Sequence, residues 1–69
     1  MFDERRFLAQ LTLCGMTRGD LAKAMNLDPS TLYRKIKANG NFSRKEISQI
    51  VEILKIDDPE AIFFADELA

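Results

Sequence analysis

Thr17-Arg18-Gly19-Asp20-Leu21-Ala22-Lys23-Ala24-Met25-Asn26-Leu27-Asp28-Pro29-Ser30-Thr31-Leu32-Tyr33-Arg34-Lys35-Ile36-Lys37-Ala38-Asn39-Gly40 is the stretch that decides how this 69-residue chain reads. Thr17 followed by Asp20 has the form of a capping box with Asp in place of Glu, so a helix opens there. Leu21, Ala22 and Met25 are its inward positions. Asn26 interrupts it, because Asn tolerates the left-handed backbone of a tight turn. Asp28-Pro29 restarts the helix: Asp caps the free amides, and Pro brings a preset φ and no amide of its own. Asn39-Gly40 ends it. The spacing predicts a second helix over about 17–25 and a third over about 29–38.

Ala22 is small enough to let the partner helix approach, and Leu27 follows the turn where it can plug the angle between the helices. These are the requirements of a helix-turn-helix. Outside this stretch the chain reads as helix throughout. Asp3 caps a first helix that carries Phe7, Leu8 and Leu11 inward, with Gly15 as its stop. Ser43-Arg44-Lys45-Glu46 is a full capping box. Ile47, Ile50, Val51 and Leu54 give the fourth helix its apolar stripe. Asp57-Asp58-Pro59-Glu60 opens a short fifth helix through Phe64. No strand-like alternation appears. The expectation is an all-α, five-helix domain over 1–69.

An apolar fraction of 46% and a charged fraction of 30% mark a folding chain. No apolar run approaches the roughly 20 residues that span a bilayer. Residues Met1–Arg6 carry no signal-peptide pattern. There is one cysteine and no histidine, so a disulfide-stapled or zinc-held fold is not expected, and the usual Ser-His and Cys-His arrangements are ruled out. No metal, cofactor or enzymatic activity is expected, and the absence of cysteine pairs suits a reducing cytoplasm. Cys14 reads as a small buried apolar residue, and Met16 and Met25 as gap-fillers.

The net charge of −1 conceals a segregation. Arg18, Lys23, Arg34, Lys35, Lys37, Arg44 and Lys45 face only Asp20 and Asp28 in the middle of the chain. After residue 45 the acids Glu46, Glu52, Asp57, Asp58, Glu60, Asp66 and Glu67 meet only Lys55. A polyanion would approach the basic side. On the third helix Leu32 and Ile36 lie one turn apart and face the core. Ser30, Tyr33, Arg34 and Lys37 form a stripe on roughly the opposite side. It holds a hydroxyl, a phenol, a guanidinium and an ammonium, groups suited to base edges in a major groove. Arg18 lies beside that surface, at a helix end whose amides favour phosphate. Asn39, Asn41, Ser43 and Arg44 follow and suit the backbone. The same stripe also reads as a solvated helix face, with Tyr33 packed at the core edge and Lys35 and Lys37 complementing the helix C-terminus.

Thr17-Arg18-Gly19-Asp20-Leu21-Ala22 and Asn26-Leu27-Asp28-Pro29-Ser30-Thr31-Leu32-Tyr33-Arg34 resemble the phage repressor and Cro-like (xenobiotic-response-element class) helix-turn-helix family. The continuation through Asn39-Gly40-Asn41-Phe42-Ser43 and Asp58-Pro59-Glu60-Ala61-Ile62-Phe63-Phe64 is also similar, so the resemblance covers nearly the whole chain. It implies a lambda-repressor-like fold, a double-stranded DNA operator as partner, a homodimer, and a transcriptional regulator encoded by a phage or prophage. It implies base reading by Pro29, Ser30, Tyr33, Arg34 and Lys37, and backbone contact by Thr17, Arg18, Asn39, Asn41, Ser43 and Arg44. Asn26 replaces the usual turn glycine, Asp28 stands where Ser or Thr is common, and Lys35 falls where many members are apolar. The acidic 46–69 segment favours a different reading, a protein-interaction module of antitoxin or anti-repressor type on the same scaffold. For a dimer contact, Ile62, Phe63, Phe64 and Leu68 are the spare apolar residues, with core packing the competing reading for Phe63 and Phe64.

Overall fold

A computed structural model describes residues 2–65. Five α-helices run in order: α1 Glu4–Leu13, α2 Arg18–Ala24, α3 Pro29–Lys37, α4 Arg44–Leu54 and α5 Pro59–Phe63. Among the described residues there is no strand. None of these helices is long and apolar enough to cross a membrane.

The helix boundaries follow the capping chemistry. The Asp3 carboxylate accepts from Arg6 N, at 3.1 Å. Thr17 and Asp20 form the reciprocal box at α2, and Ser43 and Glu46 form it at α4. Each box satisfies two amides that have no partner within the helix. Asp28 caps α3 through Ser30 N, at 2.8 Å. Asp58 makes no such side-chain bond, and α5 starts on Pro59 alone. Asn26 and Asn39 occupy the left-handed region, as their turns require.

α2 packs against α3 and α4, and α1 against α5. Phe7, Leu21, Leu32, Ile36, Ile50 and Leu54 are the largest fully buried side chains. Ala22 is fully buried beneath α3, while Leu27 is half-buried against the same cluster. Met25 is in the core and Met16 at its edge. Phe2, Phe7, Phe42 and Phe63 form an aromatic corner, with neighbouring ring centroids 5.3–6.2 Å apart. Asp3 N donates to Ile62 O at 2.7 Å, which fastens the start of the chain to α5.

Two expectations are corrected. Cys14 is exposed, not buried. Its thiol donates to Leu54 O at 3.2 Å, and Gln10 Nε2 donates to the same carbonyl at 2.8 Å. Gln10 of α1 and Cys14, the residue that caps its end, together satisfy a carbonyl left open at the end of α4. α4 closes there through Lys55 in the left-handed conformation, without the glycine or asparagine that would have marked the stop. In the apolar tail Ile62 is a core residue and not spare surface, Phe63 is in the core as the competing reading has it, and Phe64 is exposed, at 39%. Leu68 lies outside the described residues. Among the described residues the most exposed large apolar side chain is Leu13, at 79%.

Candidate nucleic-acid interface

Leu32 and Ile36 are buried on one side of α3. Pro29, Ser30, Tyr33, Arg34 and Lys37 are exposed on the rest of it. The separation follows from helical geometry, since positions three and four apart share a side. Tyr33 is not tucked against the core edge; its side chain is 51% exposed.

Tyr33 is the centre of a small cluster. The Arg18 guanidinium carbon lies 5.9 Å from its ring centroid, and Lys37 Nζ lies 5.8 Å from it. Cations at this distance are drawn to the face of an aromatic ring. The helix-turn-helix thus brings a residue from the start of α2 beside two from α3. Arg34 is separate from this cluster. Its guanidinium donates one long bond, at 3.4 Å, to Thr31 Oγ1. It lines a shallow open hollow with Thr31, Lys35, Ala38 and Asn41. Asn41 is therefore brought next to the stripe by the turn at Asn39 and Gly40, both of positive φ. Ser43 and Arg44 start α4 and are exposed; the Ser43 hydroxyl accepts from Glu46 N at 3.1 Å.

The acids at the helix starts alter the expected electrostatics. The Asp20 carboxylate accepts from Thr17 N at 2.9 Å, and that bond holds its carboxyl below the usual range. Asp28 is lowered as well, first by the Ser30 hydroxyl and then by the Ser30 amide. Both are therefore ionised at neutral pH and counter the positive ends of α2 and α3. These carboxylates offset part of the attraction that the helix-end amides have for phosphate, and the side-chain cations add to what remains. The Ser30 hydroxyl is engaged with the Asp28 carboxylate, a bond that a base edge would have to share or displace.

Two of the basic residues are paired. Lys35 Nζ lies 3.3 Å from Glu46 Oε1 and links the end of α3 to the start of α4. Glu46 is lowered chiefly by the Ser43 amide, with Lys35 adding to the effect. Lys37 Nζ lies 2.9 Å from Glu4 Oε2, and this bond raises the lysine above its ordinary value. Each lysine thus has a carboxylate partner in addition to its place in the last turn of α3. Among the described residues Arg18, Arg34 and Arg44 make no ion pair. Glu4 and Glu46 are the site residues that sequence reasoning missed. Glu46 was visible only as a capping residue, and a pairing across the 33 positions from Glu4 to Lys37 has no sequence signature.

In comparisons with protein-family models, curated proteins and solved structures, nothing matches this chain. The described residues hold no group of His, Cys, Asp and Glu side chains arranged to bind a metal.

Proposed function

We propose that this protein binds double-stranded DNA in a sequence-dependent way and regulates transcription, with α3 entering the major groove. The observation that carries the reading is the exposed side of α3. Tyr33, Arg34 and Lys37 project from it, Arg18 of α2 stands against Tyr33, and the opposite side is sealed by Leu32 and Ile36. A helix about 10–12 Å across fits a groove about 12 Å wide. Arg34 is the residue best able to fork onto a guanine. Arg18, Tyr33 and Lys37 suit phosphate and sugar, which position the protein without reading sequence. The likeness of residues 17–34 to the repressor and Cro-like family supports a lambda-repressor-like arrangement, an operator as target, a phage or prophage origin and a cytoplasmic site of action. A homodimer would join two half-sites. For its contact, Leu13 and Phe64 are exposed apolar residues among those described, in place of Ile62 and Phe63.

The test is a binding titration against a mixed-sequence DNA duplex across salt, followed by selection of bound fragments from random duplex. Binding that weakens steeply between about 50 and 200 mM salt is expected, because each phosphate contact releases a counterion. No binding at the lowest salt would overturn the DNA reading and leave the protein-interaction module as the better account.

A further inference from the structure

Lys37 belongs to the surface that would meet DNA, yet its ammonium is already held by a carboxylate. Glu4 Oε2 lies 2.9 Å from Lys37 Nζ, a charge-assisted hydrogen bond between α1 and the end of α3. The carboxylate approaches from outside the helix-turn-helix. Lys37, Tyr33 and Arg18 are consecutive neighbours, with both cations within 6 Å of the Tyr33 ring. Two cations flanking a phenol offer a phosphodiester several donors. The oxygens of Glu4 take up one of them, as phosphate oxygens would. Both partners of the pair remain open to water, the lysine side chain 48% and the glutamate 35% exposed. The bond can therefore exchange without unpacking the core.

We infer that Glu4 is an internal competitor for phosphate: its carboxylate occupies Lys37 in the free protein, and DNA docking transfers Lys37 from Glu4 to a phosphodiester bound across Arg18, Tyr33 and Lys37. This rests on the duplex-binding reading above. The transfer is an exchange of one ion pair for another, so Lys37 contributes little net affinity in the native chain. The freed carboxylate is left near the DNA backbone and speeds release. Glu4 thus weakens binding to every sequence by the same factor and leaves base reading by Arg34, and with it the ratio of operator to bulk affinity, untouched.

Glu4→Gln and Glu52→Gln remove one negative charge each, but only the first releases Lys37. Binding of a labelled mixed-sequence duplex is measured for the native chain, both variants, Lys37→Gln, and the Glu4→Gln/Lys37→Gln double variant, with a circular dichroism melt to verify folding. Breaking an exposed pair of this kind predicts that Glu4→Gln tightens binding about two- to five-fold beyond the Glu52→Gln control. It also predicts a steeper dependence of log affinity on log salt, by up to about 0.9, one phosphate's worth. In the Lys37→Gln background the gain should fall to the level of the control. A gain equal to that of Glu52→Gln, or one that survives loss of Lys37, overturns the inference while leaving DNA binding intact. Absence of binding by every form at low salt overturns the DNA reading and this inference together.

Discussion

At its N-terminal end α3 is set by its neighbours in sequence: Asn26 turns the chain, Asp28 caps Ser30 N, and Pro29 supplies the first helical position. At its C-terminal end it is set by residues far along the chain. Gly40 takes a φ of +70° directly under the Phe2 ring, where an added Cβ would lie 2.3 Å from Phe2 Cγ. Lys35 is tied to Glu46, and Lys37 to Glu4. The two ends of one nine-residue helix thus answer to different rules. The first is determined by local hydrogen-bonding preference, and the second by what α1, α4 and the N-terminal aromatic residue place against it. Arg34, the residue proposed to read a base, sits between them.

The largest expected effect is at the long-range end. Gly40→Ala must hold a side chain in the left-handed region, at about 1–2 kcal/mol, and push back the Phe2 ring, at about 1–3 kcal/mol. A loss of roughly 3 kcal/mol is therefore expected in chemical denaturation, a large share of a small domain's stability. Gly15→Ala is the control. It has φ +67° but nothing within 4 Å of the added Cβ, so only the conformational cost of about 1 kcal/mol should appear. Equal losses at the two glycines would mean that Phe2 does not hold this end of α3.

Next comes the surface between the two ends. Arg34→Ala should lose about 1–3 kcal/mol of discrimination at one base pair, whereas Arg18→Ala should weaken all sequences alike. Equal loss on selected and random duplex for Arg34→Ala would remove it from base reading and leave α3 a backbone-binding helix.

The local end should respond more mildly. Asp28→Ala removes a cap whose bonds are open to water, and a fall of a few degrees in the melting midpoint is expected. No fall would show that Pro29 and packing on α2 suffice. The smallest and broadest effect is with pH. Asp20, Asp28 and Glu46 are all lowered from the ordinary carboxylate value by amide and hydroxyl donors. A group lowered on folding contributes stability above its unfolded pKa, and the contribution fades as pH drops through the folded value. Lys37 is raised by Glu4, so its contribution is complete below its unfolded value and fades only in strong alkali. Melting midpoints should accordingly be flat from about pH 5 to 9 and fall below about pH 4. In Asp28→Ala the acid limb should be shallower.

Much of the backbone path was legible before any coordinates, because the signals are local. Capping at Asp3, Thr17, Asp28 and Ser43 and turning at Asn26 and Asn39-Gly40 depend on groups within a few residues. The buried pair Leu32 and Ile36 follows from helical period alone. The misreadings share a cause. Residue type alone places Cys14 in the core, whereas it is exposed and its thiol partner is a Leu54 carbonyl 40 positions away. Ile62 and Phe63 were open to being read as spare surface until Asp3 N is seen to bond Ile62 O and Phe2 to pack on Phe63. Lys55 ends α4 with no glycine or asparagine to announce it.

The amino-acid sequence by itself determined that this chain is helical, where its second and third helices start and stop, and which side of α3 is apolar. These are matters of hydrogen bonds and spacing within one or two turns. Which charges on the polar side are engaged was decided only by the tertiary structure. Lys35 and Lys37 look alike beside Arg34 in the sequence, and it is the folded chain that brings Glu46 of α4 to the first and Glu4 of α1 to the second. Coulomb pairing depends on distance in space, which a linear chain of residues does not specify until it has folded.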